Sequence, residues 1–160
     1  MKRSMAEKAV KIFLDSNVIL SGFLSDRGAP RVILDILALK LPFLQGATGR
    51  YNIIEIEHNL KKKVPAAFQV YKDYFPRLNL IVIPLPAEEE VKESPWIGKI
   101  SLKDVPVLIS AEKWKADYLI TGDKKDFGGL RATTSLSFKI LEPAEFIRSV
   151  IPEYLRQFEI

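Results

Sequence analysis

The stretch Lys11-Ile12-Phe13-Leu14-Asp15-Ser16-Asn17-Val18-Ile19-Leu20 decides the fold. Lys11 to Leu14 reads as a short buried strand, apolar and stopped abruptly by Asp-Ser-Asn. Val18, Ile19, Gly22 and Phe23 then recur at helical spacing, so a helix begins around Asn17. The corner between the two also sets the chemical question. A carboxylate at the end of a buried strand is costly unless it is paired or binds a cation. Which other acids meet Asp15 therefore separates an enzyme from an inert α/β domain.

Outward from this corner, Asp26-Arg27-Gly28-Ala29-Pro30 breaks the chain, and Pro30 suits the first turn of a second helix carrying Val32, Ile33, Ile36, Leu37 and Leu39. Leu41 to Leu44 is the second strand candidate and Gln45 to Gly49 reads as a turn. Tyr51 to Lys63 is helical with Ile53, Ile54, Ile56 and Leu60 inward, and a further helix spans Pro65 to Phe75, halted by Pro76. Leu80 to Leu85, β-branched and flanked by prolines, is the third strand. Ala87 to Val91 is a short helix. Ser101 to Lys115 is a longer one, capped by Ser101 or a neighbour, with Pro106 tolerable in its first turns. Ala116 to Thr121 and Phe138 to Leu141 are the fourth and fifth strands, separated by a polar turn from Gly122 to Asp126. Pro143 to Phe158 closes the chain as helix, with a break at Pro152. Strands alternating with helices imply β-α-β units, hence a mostly parallel sheet covered by helices on both faces.

With 160 residues, 48 % of them hydrophobic, the chain is expected to be one α/β domain over residues 1–160, its core about 11–146 and its last helix 143–158. The absence of cysteine excludes a disulfide framework and a thiolate zinc site. Residues 1–11 lack an apolar core of signal-peptide length, and no window approaches the ~18 apolar residues of a membrane span. A soluble, cytoplasmic protein is expected. A net charge of +4 permits a phosphate-backbone partner without requiring one.

In an open parallel sheet, ligands sit beyond the carboxyl ends of the strands. Two strands end in acid, Leu14 before Asp15 and Tyr118-Leu119-Ile120-Thr121-Gly122 before Asp123. Glu55, a turn into the helix after the second strand, and Asp104, at the start of the helix before the fourth, can face the same edge. Carboxylates crowded there repel one another, and a hard divalent cation is the usual remedy. Asn17 and Thr121 would add an amide and a hydroxyl behind the ligands. Such a site fits metal-assisted hydrolysis of a phosphodiester.

The set Leu14-Asp15-Ser16-Asn17-Val18, Ile54-Glu55 with Leu60, Asp104 with Pro106, Leu108 and Ala111, and Leu119-Ile120-Thr121-Gly122-Asp123 resembles the PIN domain in order and spacing, from Ile12 to about Glu145. The resemblance implies a three-layer α/β/α fold with a five-stranded parallel sheet in the order 3-2-1-4-5. It implies an Mg²⁺- or Mn²⁺-dependent ribonuclease acting on RNA, as in the VapC toxins of toxin–antitoxin pairs, and in that version an antitoxin partner; dimers are common in the family. Mapped onto this chain, its acids fall on Asp15, Asp104 and Asp123 as metal ligands, with Glu55 as the second catalytic acid and Glu57 as the alternative. Asn17, Thr121 and Asp126 map as supporting residues.

Each of these residues also has a plainer reading. Asp15 and Asn17 can cap a helix, Asp104 suits a helix dipole, Asp123 an Asx-turn, and Glu55 a solvated helix face. Lys124 and Lys125, beside Asp123, are candidate RNA-backbone contacts; Lys61-Lys62-Lys63 reads as a solvated helix end. His58 reads as exposed, Glu88-Glu89-Glu90 as a solvated face, and Trp114 as core. A phosphatase of the haloacid dehalogenase type also opens with a strand and an aspartate, but needs a second acid where this chain has Asn17. The remaining alternative is a catalytically silent PIN-like scaffold that binds RNA or protein.

Overall fold

The computed structural model describes residues 9–123, 127, 130 and 136–157. Lys124, Lys125 and Asp126 lie outside the described residues. Strand β1 (Val10–Leu14) leads through Asp15 into α1 (Ser16–Leu24), and α2 (Ala29–Ala38) follows with Pro30 in its first turn. Then come β2 (Leu44–Gly49), α3 (Arg50–Lys63), α4 (Phe68–Tyr74), β3 (Ile81–Ile83), α5 (Glu88–Lys92), α6 (Val105–Trp114), β4 (Tyr118–Ile120) and β5 (Lys139–Leu141). The five strands form one sheet in the order β3-β2-β1-β4-β5, every pairing parallel. This is the expected order, and it puts β1 at the centre.

Alternation along β1 builds two cores. Val10, Ile12 and Leu14 face one side of the sheet, where they pack with Val18 and Ile19 of α1, Ile33, Leu34 and Leu37 of α2, and Ile56 and Leu60 of α3. Phe13 faces the other side, against Val105, Leu108 and Ala111 of α6 and the buried Trp96. Full burial of a side chain such as Phe13 contributes about 1.5–3 kcal/mol. Helix α3 spans both layers, since Ile56 and Leu60 join the first core while Tyr51 packs on the second.

Several boundaries differ from the sequence expectation, each for a physical reason. Gln45 to Gly49, expected as a turn, is the body of β2, and the strand begins only at Leu44. A Cβ on Gly46 would stand 2.8 Å from both Leu37 and Leu80, so glycine here admits close packing rather than bending the chain. The helix expected from Pro65 to Phe75 is α4 flanked by two 3₁₀ turns, Pro65–Ala67 and Phe75–Leu78. A 3₁₀ turn, Leu102–Asp104, precedes α6, and Ser101 makes no side-chain cap. The chain does not break at Pro152. Helix α7 (Pro143–Glu145) widens into a π-turn over Phe146–Val150, where the Ile151 N–H donates to the Phe146 carbonyl, and α8 (Ile151–Gln157) carries Pro152 in its first turn.

Candidate active site

Asp15 stands where β1 meets α1, with its backbone N–H donating to the Ile120 carbonyl of β4 at 3.0 Å. Its side chain is buried, and three donors hold it. The Ser16 N–H (2.8 Å) and the Asn52 amide (3.1 Å) donate to Oδ1, and the Thr121 hydroxyl donates to Oδ2 at 2.8 Å. The helix-capping reading is therefore true as far as it goes, but it engages one oxygen only. Burial pushes the Asp15 carboxyl up to about 6. The Thr121 and Ser16 hydrogen bonds work against this rise, and the charges of Glu55 and Asp123 add to it.

Thr121 is the hinge of the β4 side. Its hydroxyl oxygen accepts from the Asp123 N–H at 3.1 Å and from the Asn17 amide at 3.4 Å. The Asn17 amide oxygen in turn accepts from the Gly122 N–H at 2.9 Å. Asn17 thus ties α1 to the Thr121-Gly122-Asp123 corner rather than only capping its own helix. One residue of this network was not singled out from sequence. Asn52, fully buried in the first turn of α3, donates to Asp15 and to the Ser16 hydroxyl (2.9 Å), while its side-chain amide oxygen accepts from the Gly49 N–H at 3.2 Å. The available signal was an asparagine three residues after a glycine at a helix start, a position from which a side chain reaches back to the preceding backbone.

On the α3 side, Tyr51 and Glu55 stand four residues apart on one helix face. Burial raises the Tyr51 phenol, and the charges of Glu55, Asp104 and Asp15 raise it further, while Lys103 lowers it. Asp104 is buried, and its carboxylate does not cap α6. The charges of Glu55 and Asp123 thus reach Asp15, and those of Glu55, Asp104 and Asp15 reach Tyr51, at the carboxyl edge of the sheet. Glu57 is not among them, because its carboxylate pairs with Lys72 of α4 at 3.3 Å. Among the described residues, no three His, Asp or Glu side chains form a ready-made metal-holding group. His58 is exposed, so the donor set at this edge is oxygen only, which suits a hard divalent cation completed by waters rather than zinc.

A central parallel sheet in this strand order, flanked by helices, is the PIN-domain-like fold. No family model matches the sequence, and neither does any curated protein. Solved structures do match. The VapBC2 complex of Rickettsia felis, bound to a DNA fragment from its promoter, superposes with a TM-score of 0.62 at 18 % identity, over 83 % of this chain and 98 % of that one. PAE2754 of Pyrobaculum aerophilum gives 0.58 at 14 % identity, over 88 % and 96 %. A toxin–antitoxin complex from Klebsiella pneumoniae gives 0.56 at 21 % identity, over 81 % and 99 %. At such identities the likeness is one of fold. No helix among the described residues is long and apolar enough to cross a membrane.

Proposed function

We propose that this chain is a divalent-cation-dependent endoribonuclease, and that Asp15 is the centre of its active site. The observation that carries the reading is the state of the Asp15 carboxylate. It is buried, fixed by three donors from three elements, and raised in part by two neighbouring acids. A helix cap requires neither the neighbouring acids nor the second anchor from Thr121. Asp15, Asp104 and Asp123 would hold Mg²⁺ or Mn²⁺, which when bound supplies Lewis-acid activation of water and of the phosphodiester. Glu55, whose charge reaches Asp15, would orient the attacking water or accept a proton from it. Thr121 and Asn52 hold the Asp15 carboxylate in position, and Asn17 braces Thr121 and the Gly122 backbone. The solved neighbours that are toxin–antitoxin complexes support a protein antitoxin as partner.

A silent scaffold is the second reading, favoured by the lack of a three-ligand group among the described residues. One experiment separates the two. Purified full chain is incubated with single-stranded RNA in Mg²⁺ or Mn²⁺, alone and with chelator, beside Asp15→Asn and Asp123→Asn. Cleavage that is lost in chelator and in both folded variants supports the nuclease. Cleavage unchanged by chelator or by the variants overturns it, and RNA binding without any cleavage supports the scaffold.

A further inference from the structure

Helix α3 begins at the acidic edge and ends in a run of lysines, yet only its first turns enter the chemistry above. Asn52, Ile53, Ile56 and Leu60 bury one side of it. Away from that side, Tyr51, Glu55, His58 and Lys62 follow one another three or four residues apart and so share a face. Arg50, Ile54, His58 and Lys61 make the neighbouring row at the same spacing. Arg50, Ile54, His58, Lys61 and Lys62 are exposed. One outer surface therefore runs from the acids to the far end of the helix, about 20 Å at 1.5 Å per residue.

The charge on this surface is unbalanced. Among the described residues, Arg50, Lys61 and Lys62 form no ion pair. Both acids of the helix are engaged elsewhere, Glu57 with Lys72 of α4 at 3.3 Å and Glu55 with its charge on Asp15. The helix dipole favours lysines in the last turn, but it disfavours Arg50 in a first turn that holds no acid. At the far end, Phe68 gathers two ammonium groups, Lys61 at 4.7 Å and Lys72 at 6.0 Å from its ring centre.

We infer that the outer face of α3 is a track for the phosphate backbone of single-stranded RNA, leading from the acidic edge past Arg50 to Lys61 and Lys62. A basic stripe along a helix is the electrostatic footprint of a nucleic acid. An acidic protein segment fits less well, because peptide docking draws on buried apolar anchors and Ile54 is the one exposed apolar side chain of the two rows. Backbone contacts position a strand without reading its sequence.

The track rests on the nuclease reading for the strand that starts at the acids, so its test reads binding rather than cleavage. Labelled single-stranded RNA of about a dozen nucleotides is titrated with the full chain in chelator at several salt concentrations. Affinity of the parent should fall steeply with salt. Lys61→Gln with Lys62→Gln should flatten the log–log salt slope by about 1.4, two phosphate contacts at ~0.7 each, and weaken binding several-fold at low salt. Adding Arg50→Gln should flatten it by a further ~0.7. Lys61→Arg with Lys62→Arg should restore the parent's behaviour. Lys40→Gln with Lys139→Gln removes the same charge from exposed positions elsewhere and should have far less effect. An equal loss in that control would reduce the track to net charge and overturn it. An unchanged slope without Lys61 and Lys62, or no RNA binding by the parent, would do the same. Polyglutamate bound as tightly through these lysines would give the face to an acidic protein and remove RNA from it. Lysine-dependent binding with no hydrolysis after Mg²⁺ or Mn²⁺ is added would leave the track standing and remove the nuclease.

Discussion

Asp15 is an acid held where acids are disfavoured. A carboxyl that loses its proton near pH 6 in the folded chain, against an ordinary value of 3.8, makes folding costlier across that interval. The sign follows from the protons bound: between these values the folded state keeps a proton that the unfolded chain has released, so stability falls as pH rises. Above pH 6 the cost is complete, about 3 kcal/mol at ~1.4 kcal/mol per pH unit. Asp15→Asn removes the charge but keeps an oxygen to accept from Ser16 and Asn52 and an amide to donate to Thr121. In metal-free buffer this variant should therefore be more stable than the parent at pH 8, by up to about 3 kcal/mol, with the advantage shrinking toward pH 4. Urea unfolding at several pH values measures it. An advantage that grew on acidification would mean that the carboxylate stabilises the fold. A second residue-scale distinction concerns α3. Glu55 acts on Asp15, whereas Glu57 is paired with Lys72 on a partly solvated surface. Glu55→Gln should cut RNA turnover by about two orders of magnitude or more, in line with loss of a general acid–base group. Glu57→Gln should leave turnover intact and shift stability by less than ~1 kcal/mol. Equal losses in both would remove Glu55 from its assigned role.

At the scale of elements, the junction of β2 and α3 aims the site. A Cβ on Gly49 would lie 2.9 Å from the Asn52 side-chain oxygen and 3.3 Å from the Ser110 hydroxyl. Gly49→Ala must displace Asn52, and with it a donor to Asp15. A destabilisation of about 1–3 kcal/mol is expected from the overpacking, together with a fall in turnover. Gly46→Ala is the control from the same strand, because its Cβ meets the mobile ends of Leu37 and Leu80, remote from the acids. It should lower the unfolding midpoint and leave the turnover of folded protein unchanged. A matching loss of turnover would detach Asn52 from catalysis. These two glycines also show why the sequence alone puts the second strand at Leu41 to Leu44 and a turn where the body of β2 lies. In isolation Gln-Gly-Ala-Thr-Gly has the composition of a turn. What makes it a strand is non-local: pairing with β1 and β3 on either side, and the ends of Leu37 and Leu80 packed closely over Gly46. The strand order, by contrast, was implied by a motif resemblance carried by residues adjacent in sequence, and so were the positions of Asp15 and Asp123. Asn52 escaped because a polar residue in a helix's first turn looks the same whether it is solvated or buried against a carboxylate. The distinction between Glu55 and Glu57 needed the position of α4, which no local pattern fixes.

The whole molecule carries a net charge of +4, yet at the carboxyl edge of its sheet the charges of Glu55 and Asp123 bear on Asp15. A polyanion is attracted to the protein at long range and repelled at the site itself, unless a cation stands between them. A divalent ion that binds the folded site but not the unfolded chain must also stabilise the fold, by RT ln(1 + [ion]/Kd), which is about 1.4 kcal/mol at ten times Kd. For a chain of 160 residues that corresponds to a rise in Tm of roughly 3–6 °C. The same ion has to compete with the proton on Asp15, whose carboxyl is raised to about 6. Thermal unfolding of the full chain should therefore shift upward with millimolar Mg²⁺ or Mn²⁺ at pH 8. The shift should shrink at pH 5 and vanish in Asp15→Asn at either pH. Ca²⁺, another oxygen-seeking ion, should reproduce part of the shift, which separates occupancy from catalysis. An equal rise in Asp15→Asn would place the ion elsewhere on the surface. No rise at pH 8 up to tens of millimolar would leave the acidic edge without the cation that the nuclease reading requires.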